Sequence, residues 1–322
     1  MTEIYAAINK NTDELLHSSS GGVFSILAEV VLENGGVVWG AAFDKEWHVV
    51  HKRITSKEWL NDLRGSKYVY SKLTKDNLSS IREDLSAGKV VLFCGTPCQV
   101  GIVIRYVGME LRKHLLAVDF TCHGTPLPEV WDSYLKELQR KGAITSINMR
   151  DKRFGWKTYS LRVEYIDGEV FSEIFTWNHY SQTFLNDVSL RKPCYNCPYK
   201  GIKPESDLTL ADFWDVRTKH PKINAVQGVS KVYVHSEIGR KYFKACLPYI
   251  TVIKDDVIFD FKTPRGKITE PSSRSLFLKT MKEKGFEAAY KVAVYKGILW
   301  SIKMKVKGLL KILMYKKENN NI

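Results

Sequence analysis

Two uninterrupted apolar runs, each leading to a cysteine–glycine motif, restrict what this chain can fold into. Val90-Val91-Leu92-Phe93 ends at Cys94-Gly95-Thr96-Pro97, and Leu115-Leu116-Ala117-Val118 leads to Cys122-His123-Gly124. A helix is predicted from about Gln99, and another over 128–141, where a proline in the first turn costs no hydrogen bond. Strands without polar alternation, separated by helices, imply a parallel sheet covered on both faces. Cys98 and Cys122 then lie beyond the carboxyl ends of neighbouring strands, the edge where such sheets bind ligands.

The flanking sequence extends this reading. A helix is predicted over 22–33, opened by Ser18-Ser19-Ser20-Gly21-Gly22 and stopped by Asn34-Gly35-Gly36. Residues 37–43 and 49–54 read as paired strands, and Thr55 with Glu58 reads as a capping box. A further helix is predicted near 78–87. Beyond Ile144 the pattern alternates, with a hairpin of 159–165 and 170–175 about the turn Ile166-Asp167-Gly168-Glu169. The expected fold is α/β: a mixed sheet with a parallel βαβ core, an α+β C-terminal region and a basic terminal helix. The expected divisions are 1–143, 144–260 and 261–322.

Six cysteines in 322 residues do not make a disulfide framework, and their motif-bound spacing argues for metal or redox use. Cys194 and Cys197 are separated by two residues, so one tight turn can aim both sulfurs at a metal. Cys98 and Cys122 lie 96 and 72 residues upstream of Cys194. Soft thiolates select zinc, iron–sulfur or copper over hard cations. Such dispersed ligation favours an iron–sulfur cluster over a zinc staple, with unlinked cysteines as the third alternative. Cys94 and Cys246 read as small buried hydrophobes.

The Ser18–Gly22 segment is read as a phosphate cradle or simply as a helix cap. Gly65-Ser66-Lys67-Tyr68 offers a cation and an aromatic face, or an ordinary loop, and Arg150-Asp151-Lys152 reads as a charge run. The net charge of +14 is concentrated: eight lysines and no acid occupy residues 291–317. That distribution argues against a nucleic-acid binder, which carries a broader, arginine-rich patch. Ile298, Ile302, Val306, Leu309 and Leu313 recur at helical spacing beside Lys303, Lys307 and Lys311. This is a basic amphipathic helix, read as a membrane-surface or partner contact, or as a stripe packed on the domain. With no secretory leader pattern and no apolar run near the ~18 residues of a membrane span, a cytoplasmic protein is expected, at most peripheral on the inner membrane surface.

Taken in order, several motifs resemble one family. They are Ser19-Ser20-Gly21-Gly22-Val23-Phe24, Gly65-Ser66-Lys67-Tyr68-Val69, Gly95-Thr96-Pro97-Cys98-Gln99, Cys122-His123-Gly124, Arg150-Asp151-Lys152, Cys194-Tyr195-Asn196-Cys197 and Asp212-Phe213-Trp214. Over roughly residues 15–245 the chain is similar to the family of coenzyme F(420) hydrogenase/dehydrogenase beta subunits. The resemblance implies an oxidoreductase holding FAD and one 4Fe-4S cluster, which passes electrons between a ferredoxin-type carrier and an organic acceptor. Coenzyme F(420) is the acceptor in the alternative enzyme reading. A zinc-stapled, non-catalytic interaction protein at the membrane surface is the alternative from another class.

The same resemblance implies Cys98, Cys122, Cys194 and Cys197 as cluster ligands. It implies Ser19, Ser20, Gly21, Gly22, Ser66, Lys67, Tyr68, Thr96 and Gln99 as flavin-contacting positions, in an N-terminal flavin-binding region. Lys67, or another cation, is expected beside the flavin, and His123 is the candidate proton relay. No cysteine precedes Cys94 to hold a second cluster, so single electrons are expected from a separate protein. Relatives of this shortened kind resemble proteins found with bacterial surface-polysaccharide synthesis.

Overall fold

A computed structural model describes residues 2–200, 204–255 and 268–319. Eleven strands among these residues form two sheets: β1 (Glu3–Asn9), β2 (Val37–Phe43), β3 (Val49–Ile54), β4 (Val91–Gly95), β5 (Leu115–Phe120), β6 (Ile144–Asp151), β7 (Ser160–Tyr165), β8 (Val170–Ile174), β9 (Leu208–Asp212), β10 (Ser230–Val234) and β11 (Ile250–Asp255). The larger sheet has the order β11-β1-β10-β9-β5-β4-β2-β3. Its centre, β2-β4-β5-β9, is parallel. Antiparallel strands close both sides, β3 on one and β10, β1 and β11 on the other. The fold is thus the expected mixed α/β sheet with a parallel core.

Each apolar run is a strand because both of its faces are covered. Leu92, Leu116 and Val118 pack beneath the Val23–Glu33 and Glu237–Cys246 helices. Val91, Phe93, Leu115 and Ala117 face the Lys75–Ser86 and Pro97–Arg112 helices. The second sheet is the antiparallel order β6-β7-β8. It packs with the Pro128–Gln139 and Phe286–Ala293 helices around the buried rings of Trp131, Tyr180 and Phe286.

Local chemistry adjusts several expected boundaries. The first long helix starts at Val23, one residue late, because Gly22 stands at φ 76°. Ser56 rather than Thr55 caps the next turn, its hydroxyl accepting the Glu58 amide at 3.3 Å. Thr96 and Gln99 form a reciprocal capping box that starts the Pro97–Arg112 helix. The register of β6 shifts between Asn148 and Asp151, and such an irregularity re-aims the side chains beside it, here Arg150 and Lys152.

Candidate functional site

The cysteine motifs meet because two loops are sewn together by backbone. The Leu127 amide donates to the Ser189 carbonyl at 2.9 Å and the Arg191 amide to Thr125 at 3.0 Å. Gly124 sits at φ 155°, and a Cβ there would meet Leu190 Cδ1 at 2.9 Å. The glycine of Cys122-His123-Gly124 therefore lets the Cys122 loop lie against the turn that carries Cys194 and Cys197. Lys200 Nζ adds a bond to the His123 carbonyl at 2.7 Å.

All four thiols are half-buried and unbridged. Burial pushes the Cys122 thiol well above its ordinary value, and the neighbouring Cys194, Cys98 and Cys197 push it further. Burial also raises Cys197, with Cys98 and Cys194 adding to the effect. Four thiols in electrostatic reach of one another, with Lys200 beside them, form a donor set that deprotonation by a metal would relieve. Cys98 occupies the first turn of a 16-residue helix, and Thr96 Oγ1 is 3.1 Å from its sulfur.

The donor types narrow the metal to a soft one. Tetrahedral zinc with bonds of about 2.3 Å holds its sulfurs roughly 3.8 Å apart. Among the described residues no three of the cysteine sulfurs lie within 4.8 Å of one another. Asp44, Glu46 and His48 do meet that limit, but on a solvent-facing hairpin turn, where Asp44 Oδ1 accepts the amides of both neighbours. An all-sulfur donor set of this kind suits an iron–sulfur cluster, and zinc also accepts four thiolates.

His123 directly follows Cys122 in the chain. Its Nε2 is 2.5 Å from Asp187 Oδ1, and its buried Nδ1 has no hydrogen-bond partner among the described residues. Its ring lies edge-on to Phe184 at 5.2 Å, and Phe184 is 5.5 Å from the ring of Tyr68. One aromatic layer thus joins the cysteine loops to the second group of motifs.

In that group, Ser19 Oγ lies 2.8 Å from Ser66 Oγ, so two motifs distant in sequence touch. Ser20 Oγ donates to the Val229 carbonyl at 2.7 Å. A Cβ on Gly21 would fall inside the contact distance of the Ala7 carbonyl oxygen and the Ser230 amide, and the Gly21 amide donates to Ser230 Oγ at 3.0 Å. Thr96 and Gln99 are buried in their capping box, and Gln99 Nε2 also donates to the Ser71 carbonyl at 2.5 Å. Lys67 is only half-buried, but its amine is enclosed and donates to the carbonyls of Asp62 at 2.8 Å and Arg64 at 2.7 Å. Burial pushes its pKa down to about 7.

The cation that does stand among the aromatic rings is Arg150. Nη2 donates to Asp212 Oδ1 at 2.8 Å, and the guanidinium lies 4.5 Å from the Tyr159 ring and 5.5 Å from that of Trp214. Burial opposes its charge, but Tyr68, Asp212 and Tyr159 outweigh that and raise its pKa. Its Nε is buried with no partner among the described residues. Asp212 also accepts from Trp156 Nε1 at 3.0 Å, and Trp156 stacks on the half-exposed Trp214 at 4.7 Å. Lys152 ties this group to the serine–glycine turn, donating to Leu15, Ser20 at 3.2 Å and Gln227 at 2.7 Å. Burial, then the Arg150 charge, push its pKa down to about 7. Arg150-Asp151-Lys152 and Asp212-Phe213-Trp214 stood out in the sequence, but their ion pair spans 62 residues and leaves no local trace.

Comparison with known proteins bears on the family and the fold. Residues 88–253 match the family described as the C terminus of the coenzyme F(420) hydrogenase/dehydrogenase beta subunit. The chain is 21% identical over 244 residues to one of the F(420)H(2) dehydrogenase subunits of Methanosarcina mazei, covering 74% of this chain and 62% of that protein. The chain thus spans less than two thirds of that curated relative. The fold is similar to a chain of the F(420)-reducing NiFe hydrogenase complex of Methanosarcina barkeri, with TM-score 0.53 at 15% identity over 90% of both chains.

Proposed function

The chain belongs to the family of coenzyme F(420) hydrogenase/dehydrogenase beta subunits, and on that premise we propose that it is an iron–sulfur flavoprotein oxidoreductase whose hydride partner is a deazaflavin of the F(420) type. What carries the reading is the adjacency of two unlike groups: four clustered thiols, and a cation set among aromatic rings, joined through Phe184.

Cys98, Cys122, Cys194 and Cys197 would hold a 4Fe-4S cluster, and the surfaces around Ser66, Tyr68, Arg150 and Trp214 would hold FAD. When bound, the cluster supplies single electrons and the flavin couples them to hydride transfer. The residues of the chain prepare both groups. Arg150, rather than the enclosed Lys67, would hold a positive charge beside a group bound on the aromatic face, where it would favour negative charge on that group. Trp214 offers an open stacking surface, and Asp212 fixes the Arg150 orientation. His123, next in sequence to Cys122 and oriented by Asp187, offers a ring nitrogen from which a proton can be held or passed. A ferredoxin-type carrier is the proposed external source or sink of single electrons.

The test is turnover. Protein purified without oxygen is expected to hold one flavin and about four irons per chain and, once reduced with dithionite, to reduce F(420). A flavin- and iron-loaded protein that ignores F(420) would move the acceptor elsewhere, for example to surface-polysaccharide synthesis. Colourless protein with stoichiometric zinc would end the redox reading.

A further inference from the structure

The terminal helix, Ile298–Asn319, carries two stripes, and the structure uses only the narrower one. Trp177 Nε1 donates to the Met304 carbonyl at 3.0 Å, Gly308 lies directly under the Trp177 ring, and Tyr315 packs on Gly155. Met304, Gly308 and Tyr315 recur at intervals of four and seven and face the body. The other stripe is exposed: Leu299, Ile302, Val306, Leu309, Leu313 and Met314 are 50–84% accessible. At 3.6 residues per turn these six sweep an arc of about 140°, opposite the docked stripe. The reading of the sequence in which this stripe packs on the domain is therefore wrong: glycine at 308 admits Trp177 on the other side. The side chain of Ile298 lies outside the described residues.

We propose that this exposed stripe lies on an anionic lipid bilayer. Lysines border it on both sides, Lys305 and Lys316 along one edge, Lys307 and Lys311 along the other, while Lys303 and Lys317 fall within the arc toward the two ends of the helix, and all six are exposed. From Ala288 to Lys317 no acidic residue interrupts the positive field. An aliphatic band edged by lysine is the pattern of a helix lying in the headgroup layer. A protein interface is built differently, since its core gains aromatic residues and arginine and loses lysine. No helix among the described residues is long and apolar enough to cross a membrane, so the contact is one of lying on the surface. Because the opposite stripe grips Gly155 and Trp177, the bilayer contact also orients the body that carries Trp156 and Trp214. The proposal does not depend on the redox reading.

Flotation of the full chain with large unilamellar vesicles tests it. The protein is expected to float with vesicles of phosphatidylcholine plus phosphatidylglycerol, to stay behind with phosphatidylcholine alone, and to release in high salt. Exchanging Lys305, Lys307, Lys311 and Lys316 for Gln should weaken partitioning by about fivefold per lysine. The triple variant Val306→Glu, Leu309→Glu, Leu313→Glu should abolish flotation with an unchanged melting temperature, because all three side chains are already in water. Gly308→Leu, which disturbs only the docked stripe, should still float. Absence of wild-type flotation, or a triple variant that floats normally, would overturn the proposal. So would a dimer that the triple variant dissociates without any vesicle binding, since the stripe would then belong to a second copy of the chain.

Discussion

The serine–glycine turn and the cysteine quartet differ in what their residues do for the fold itself. In the turn, every residue is already employed. Ser20 bonds Val229, Gly21 makes room for the backbone of β1 and β10, Gly22 supplies a left-handed conformation, and Lys152 holds the Ser20 carbonyl. Among the four cysteines, packing and hydrogen bonding ask for almost nothing. Thr96 lies near Cys98 and Thr125 is 3.9 Å from Cys194, while burial and the neighbouring sulfurs raise the pKa of Cys122 and Cys197. A motif that the fold needs is weak evidence of a ligand, whereas half-buried thiols that burden one another call for a chemical reason.

Three changes sharpen or break this contrast. The largest effect is expected from Asp212→Ala, which strands the buried Arg150 guanidinium. Loss of one partner of such a pair costs about 3–5 kcal/mol, read as a lower denaturant midpoint. An unchanged midpoint would mean that the aromatic site is not held together from within. Next comes Gly21→Ala, whose methyl must press on main-chain atoms that cannot swing away. About 3 kcal/mol is expected, and a normal melting temperature would remove the architectural reading of the turn.

The smallest effect concerns Asp119, at the carboxyl end of β5. Burial pushes its pKa from 3.8 up to about 7, although Thr209 Oγ1 donates to it at 2.5 Å. A carboxyl with a raised native pKa stabilises the fold fully below its ordinary value and loses that contribution as pH climbs through 7. Unfolding midpoints should therefore decline between about pH 4 and 7 on account of this residue, and Asp119→Asn should remove that part of the slope. Identical slopes for wild type and variant would contradict the assignment.

What the sequence could reveal followed from range. The parallel core was legible because Val91–Phe93 and Leu115–Val118 are buried on both faces, so neither run needs polar residues. The strand Glu3–Asn9 was not, since Ala6 and Ala7 blur its alternation and its place depends on β10 and β11, more than 220 residues away. The motifs holding the thiols were visible one by one, and Gly124 explains why they converge. The role expected of Lys67 rested on its neighbours in sequence, and its amine is taken by carbonyls of its own loop. Arg150 stands among the aromatic rings through an ion pair that no local pattern encodes.

The central claim is that four particular thiols, and not the other two, serve one metal cluster. Anaerobic reconstitution with iron and sulfide, followed by iron analysis and absorbance, tests it most directly on wild type, on single serine variants of Cys98, Cys122, Cys194 and Cys197, and on Cys94→Ser as control. Wild type and Cys94→Ser are expected to bind about four irons with the same spectrum, and each of the four variants to lose that spectrum. Equal iron in all six proteins, or tight stoichiometric zinc in place of iron, would contradict the account.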